Sequence, residues 1–361
     1  MASSDYLAIA KDMVPEVCDE ADLDSVRALI LLALTLQGHC FSNNAYLHAG
    51  LAARVAFSLG LHVDKYSLSH GIVDKEHARA IWWTLYNFDQ EIALRTGKPC
   101  SISEGLINTP PEFPSEHILN LGPNMPFSYL QSSSSLTSLT KRTTGILYPT
   151  SMSGRVILSQ VSDLLLSLET WLAELPSHLL LTDHVATPYR RCISLLHVRY
   201  WSVVVLATRS FLLCSVLRRE ELKDHDKMTK FHDLSHICIE AAEKSFHILQ
   251  NMHRDGTLSS RLPLDFNYML ELIQIFLTAD AFSHLERHID SVRNLLQILQ
   301  SMDAVGWCEK ALPEVEAQLH NNGLLEPSWD YNTNIQDFGF LIGQGEPSFE
   351  NYELYDCTSV N

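Results

Sequence analysis

His232 and His236 stand one helical turn apart, a spacing at which two imidazoles can grip one metal ion from a single helix face. His225, Asp226 and Cys238 lie near them in the chain. A metal site needs at least a third ligand, and no spacing here fixes one, so no metal is expected. His284-Leu-Glu-Arg-His288 looks like a zinc-protease helix, but its glutamate is displaced by one position. Glu286 therefore falls elsewhere on the helix, and the stretch reads as a solvated polar face. Thr96-Gly-Lys-Pro99 is no phosphate loop, because the upstream glycine and the following hydroxyl residue are missing and proline removes a needed N–H. No nucleophile elbow and no dinucleotide fingerprint occur. With no acid–base or nucleophile set converging, the sequence predicts no enzyme.

The carboxyl group most in need of a partner is Asp89. Between Glu76 and Ile102, helical spacing puts Ile81, Leu85, Phe88 and Ile92 on one line and Trp82, Tyr86, Asp89 and Ala93 on the next. Asp89 thus sits on an aromatic face, where an ionised carboxylate must be paired. Arg54 shares a line with Leu47 and Leu51 on the preceding helix. The expectation is a structural ion pair, Arg54 with Asp89, that fixes helix register, with Arg79 as the alternative partner. His197, Trp201, Val204 and Phe211 form another aromatic line. Together with Trp82, Trp83 and Tyr86 they are a candidate effector pocket, or else plain core.

The elements that carry these residues read as helices almost throughout. Ser25–Gln37 ends at Gly38; a second helix follows Asn43-Asn44 and closes at Gly60, with Ala45, Ala49, Ala52 and Ala56 in a stripe that lets a neighbour approach closely. The Trp82-Trp83 helix opens near Asp74 and halts at Gly97, and Glu91 and Arg95 suit an i,i+4 pair. Helical periodicity returns at 154–175, 189–219, 229–254, 264–289, 291–303 and 308–321. The fold class is all-α, an irregular bundle of about a dozen helices. Residues 1–24 read as a lead-in, 25–322 as one domain, and 109–150, rich in proline and serine, as an irregular insertion. The segment 323–361 has no lysine or arginine and alternates acids with aromatics, among them Trp329, Tyr331, Phe338 and Phe340. Such a segment reads as disordered, with its aromatics free for a partner.

Composition limits the partners. The formal net charge is −17, and the longest basic runs are Lys141-Arg142 and Arg190-Arg191, so direct phosphate-backbone binding is not expected. The eight cysteines are scattered without a C-x-x-C pair, and Cys214 and Cys238 fall in apolar helical patterns as small hydrophobes. The N-terminal residues are acidic and broken by Pro15, and no charge-free apolar run reaches spanning length. A reduced, intracellular, soluble protein without a membrane partner is the expectation.

Five stretches together resemble a known family. Ala49-Gly-Leu-Ala-Ala-Arg-Val-Ala-Phe-Ser-Leu-Gly-Leu-His62 resembles the GLAxRxAxxLGLH element of the fungal-specific transcription factor domain, the middle homology region of fungal zinc-cluster regulators. Ala80-Ile-Trp-Trp-Thr-Leu-Tyr-Asn-Phe-Asp89 is similar to its WWxLYxxD element, and Gly97-Lys-Pro-Cys-Ser-Ile102 to its GRPxxI element. Leu195–Leu213 looks like the helix ending in LxRPFL, and Cys238-Ile-Glu-Ala-Ala242 like a small-residue helix of the family. The resemblance runs from about 25 to 320. Only Arg79 remains of the family's arginine run, Lys98 replaces arginine, and Ser210 replaces proline.

The resemblance implies a regulatory role in RNA polymerase II transcription of a metabolic or biosynthetic gene set, in the nucleus. Implied partners are the transcription machinery and a small-molecule effector, with a homodimer left open. The 323–361 segment would suit transcription activation. Family members carry six clustered cysteines that bind zinc, followed by a basic linker. Cys18 and Cys40 cannot form such a cluster. No cofactor is therefore expected within this chain; zinc, and contact with DNA, would come with a missing or separate module. The chain reads as a fragment or as a stand-alone regulatory domain. The alternative is a helical small-molecule-binding or protein-interaction module without direct transcriptional output.

Overall fold

Apolar stripes at helical spacing find partners in sequence-adjacent helices. The computed structural model describes residues 3–38, 42–63, 71–109, 125–148, 158–182, 185–217, 225–260, 262–283 and 287–302. It is all-α: among the described residues there are eleven α-helices and no strand. The expected helix at 308–321 and the acidic-aromatic segment 323–361 lie outside the described residues. The single domain expected over 25–322 divides by its internal contacts into two units, Met1–Thr137 and Ser138–Asn361.

In the first unit the expected lead-in is itself helical, as α1 (Ser3–Asp12) and α2 (Val14–Glu20). Pro15 does end the first helix pattern, but it sits in the opening turn of the next, where its missing N–H costs nothing. The third helix, α3 (Leu23–Gly38), begins at a reciprocal cap: the Ser25 N–H donates to Asp22 Oδ1 at 2.7 Å and the Asp22 N–H donates to Ser25 Oγ at 3.2 Å. The Ser25 N–H bond holds the Asp22 carboxyl below the usual range. Next, α4 (Ser42–Ser58) lays the expected alanine stripe against α3, with Ala45, Ala49, Ala52 and Ala56 all at 0% exposure. Methyl groups at the contact let the backbones come close and bury Leu29, Ala33 and Leu36 between them. The Trp82-Trp83 helix is α5 (Ile72–Thr96), and Gly97 ends it in the left-handed conformation at φ 64°.

The expected irregular insertion at 109–150 is corrected in part. Tyr129–Leu147 is a helix, α6, and the division between the units falls within it. Its serines and threonines return their hydroxyls to carbonyls one turn back, Ser134 to Leu130, Thr137 to Ser133 and Thr143 to Leu139. Back-bonding satisfies the hydroxyls without breaking the helix, and Leu130, Leu136 and Leu147 supply its buried face. A run of Ser and Thr conceals this apolar period from a composition-based reading.

In the second unit, α7 (Leu158–Ala173), α8 (Thr187–Leu217), α9 (His225–Arg254), α10 (Pro263–Ser283) and α11 (Ile289–Ser301) surround a core in which Phe211 and Phe231 meet edge to face at 5.1 Å. By length and composition α8 could cross a membrane, but 67% of its most apolar window is buried inside the protein, as in a core helix. Its start is fixed by a bidentate pair, Arg191 to Asp265 at 2.8 and 3.0 Å. Asp265 is fully buried and also accepts the Ser259 N–H at 2.7 Å.

Candidate functional site

Two polar constructions stand where the sequence motifs lie, one in each unit. In the first, Asp89 is fully buried on α5, and its Oδ2 accepts the backbone N–H of Ile102 at 2.9 Å. Gln90, the next residue, donates its amide to the Ile102 carbonyl at 3.2 Å. The helix therefore grips the loop that follows it by both sides of one peptide residue. The same loop is strapped to α4: Tyr46 Oη donates to the Pro99 carbonyl at 2.8 Å, and Lys98 Nζ bonds Asn43 Oδ1 while lying 4.8 Å over the Tyr46 ring. Further along, the Asn108 N–H donates to the His62 carbonyl at 2.8 Å and Thr109 Oγ1 to the Leu61 carbonyl. Gly97 makes the turn possible, and Asp89 fixes where it goes.

The expected Arg54–Asp89 ion pair is not formed. Arg54 is exposed, as are Leu47 and Leu51. The three do share one face of α4, as their spacing implies, but the alanine stripe takes the core and this face looks outward. Arg79, the alternative partner, is buried and instead pairs with Glu76 at 3.2 Å. Glu76 is itself buried, one turn into α5, which begins at Ile72.

The candidate pocket residues are divided between the units. Trp82, Trp83 and Tyr86 are buried in the first, where Trp82 meets Phe57 edge to face at 5.8 Å, Trp83 meets Tyr86 at 5.3 Å, and Tyr86 Oη donates to Glu104 at 2.8 Å. His197 and Trp201 are in the second. His197 is buried with Nε2 donating to the Leu179 carbonyl at 3.0 Å, and burial lowers its pKa, so it is a neutral imidazole protonated at Nε2. Trp201 is half-buried, with Tyr200 edge-on at 4.8 Å and Lys244 Nζ 4.5 Å from its ring centroid.

The second construction centres on Arg209, the arginine of the LxRPFL-like segment. Its Nε donates to Tyr148 Oη at 3.1 Å, and its guanidinium pairs with Glu271 of α10 at 3.6 Å. Ser202 Oγ donates to the other Glu271 oxygen at 2.7 Å, and Tyr148 Oη lies 3.2 Å from Ser210 Oγ. Ser210, which replaces the family's proline, thus adds a hydroxyl to this network. Arg209 and Glu271 line a cleft between α8 and α10 with Leu212, Leu213, Gln274, Ile275 and Thr278. Tyr148 and Glu271 were not legible as partners, since one lies in the supposed insertion and the other is 62 residues beyond Arg209.

Burial pushes the Cys238 thiol up to about 12, so it stays protonated and inert, as the apolar pattern implied. His232 and His236 are exposed with ring centroids 4.4 Å apart, and among the described residues no group of three or more ligand-type side chains gathers round a metal position. What the two networks do is hold: one fixes a loop to a helix, the other ties α8 to α10.

Residues 10–173 match the fungal-specific transcription factor domain. Over these residues the chain is similar to that domain. The match takes in the Trp82-Trp83 helix, its Gly97 turn and the Asp89–Ile102 bond, and it ends at the last residue of α7. Likeness to fungal regulators continues beyond residue 173. An uncharacterized transcriptional regulatory protein of Schizosaccharomyces pombe is 25% identical over 266 residues, 73% of this chain and 33% of that protein. The thiamine repressible genes regulatory protein of the same yeast is 23% identical over 348 residues, 96% of this chain and 43% of its own. Activator of stress genes 1 of Saccharomyces cerevisiae is 27% identical over 221 residues, 57% of this chain and 23% of its own. The chain spans less than half the length of these curated relatives. No solved structure matches it.

Proposed function

We propose that this chain is the regulatory part of a nuclear fungal transcription regulator and performs no catalysis itself. It tunes RNA polymerase II transcription of a metabolic or biosynthetic gene set, while a zinc-cluster module outside these residues contacts DNA. The observation that carries this reading is the likeness, over 96% of the chain, to a regulatory protein, together with the transcription factor domain at 10–173. The net charge of −17 supports leaving DNA contact to another module. Segment 323–361, with Trp329, Tyr331, Phe338 and Phe340 among acids and no basic residue, is the part that engages the transcription machinery.

Tethering the whole chain to a neutral DNA-binding domain upstream of a reporter tests this. Output should change severalfold, and deleting 323–361 should abolish the change. A well-expressed, nuclear fusion that leaves the reporter at background would remove the proposal.

A further inference from the structure

His288 opens α11 as its N-cap residue and is 8% exposed. Both of its ring nitrogens face carboxylates. Nδ1 lies 2.7 Å from Asp280 Oδ1 of α10, and Nε2 lies 3.2 Å from Glu243 Oε1 of α9. A carboxylate can only accept, so both nitrogens donate together only in the imidazolium form. The His288 backbone N–H also reaches the two Asp280 oxygens, at 3.1 and 3.2 Å, and Phe276 stacks under the ring at 4.9 Å and 5°. Asp280 is 4% exposed, and the imidazolium gives this buried carboxyl a charged partner.

No other described charge takes the imidazolium's place. On α9, Lys244 is paired with Glu240 at 2.6 Å and lies over Trp201. On α11, Asp290 and Arg293 pair with each other at 3.1 Å, and Arg287 before the helix is exposed. Asp280 and Glu243 are accordingly the charged groups that raise the His288 pKa, the hydrogen bond to Asp280 foremost and against the pull of burial.

We propose that Asp280, His288 and Glu243 form a proton-operated latch that ties the start of α11 to both α9 and α10. Loss of one proton to solvent leaves a neutral ring that keeps its Nδ1–H on buried Asp280. Nε2 then turns a lone pair toward the Glu243 carboxylate, and that contact becomes repulsive. The α9 side opens first because Glu243, half exposed, can turn to water, whereas Asp280 cannot. Val292, Leu295, Ile298 and Leu299 bury the apolar face of α11, and Gln250 donates a long amide bond to Asn294 at 3.4 Å. The latch thus makes the seating of the last described helix depend on pH, independently of the transcriptional reading.

The test is a histidine-selective NMR titration of the full chain, combined with hydrogen exchange of the α11 amides across the same pH range and corrected for intrinsic rates. His288 should carry protons on both nitrogens at neutral pH and titrate above the ordinary value of about 6.5. Protection of α11 should fall as pH rises through that midpoint. Glu243→Gln, at a half-exposed position that leaves the fold intact, should lower the midpoint; His288→Gln should make α11 protection independent of pH. A single-tautomer ring at neutral pH, a midpoint unmoved by Glu243→Gln, or α11 protection flat across the titration would each overturn the latch.

Discussion

Asp89 and Ile102 lie thirteen residues apart in the chain and are joined by a 2.9 Å bond from the Ile102 N–H to Asp89 Oδ2. One buried carboxylate therefore links the Trp82-Trp83 element to the Gly-Lys-Pro element and fixes the exit of α5. Asp89→Ala leaves that N–H buried without its acceptor and should cost about 1.5–3 kcal/mol in urea unfolding. Arg54→Ala, at an exposed position without an ion pair to Asp89, should stay within about 0.5 kcal/mol of the parent. A large effect at Arg54 with none at Asp89 would mean that the loop is not held in this way.

Arg191 and Asp265 make a stronger case because Asp265 has no access to water. Arg191→Ala removes the bidentate partner of a buried charge and should destabilise the second unit by about 3 kcal/mol or more. Arg191→Lys keeps the charge but loses the fork, and should fall between parent and alanine variant. Equal stability for lysine and arginine would show that geometry contributes nothing there.

Gly145 lies inside α6, exposed, with open space where a Cβ would go. Gly145→Ala should raise stability by about 0.4–1 kcal/mol, chiefly by restricting the unfolded chain. Loss of stability on this change would contradict a helix at that point.

Two buried histidines of the second unit carry opposite pH signs. His197 has a pKa lowered by burial, so its contribution is complete above about pH 6.5 and is lost as pH falls through its folded value. His288 has a raised pKa, so its contribution is complete below about pH 6.5 and is lost as pH rises through its folded value. Unfolding free energy measured across pH should decline on both sides. His197→Gln should flatten part of the acid limb and His288→Gln part of the alkaline limb. Parallel profiles for all three proteins would refute the assignment.

The helices were legible because apolar period and glycine stops agree; α3, α4, α5 and α8 fall within a few residues of their expected bounds. The site was less so. Periodicity correctly grouped Leu47, Leu51 and Arg54 on one face of α4 but could not tell which face turns inward. Buried methyl groups won over larger leucines because the alanines admit a neighbouring backbone. His288, expected on a solvated polar face, is instead buried against Asp280, a tertiary pairing with no helical spacing to announce it; residues 284–286 of that stretch lie outside the described residues. In α6, hydroxyls that bond their own helix read as loop-formers when only composition is weighed.

The alanine stripe of α4 also bears on the order of folding. Alanine gives up no rotamer freedom on burial, and α3 and α4 are separated by a few residues, so their pairing costs little chain entropy. Contacts of this kind form on the fast, local side of a folding reaction. The α3–α4 hairpin is thus the natural nucleus of the first unit, able to close while α5 is still being synthesised and to present a finished surface on which the Trp82-Trp83 helix then settles.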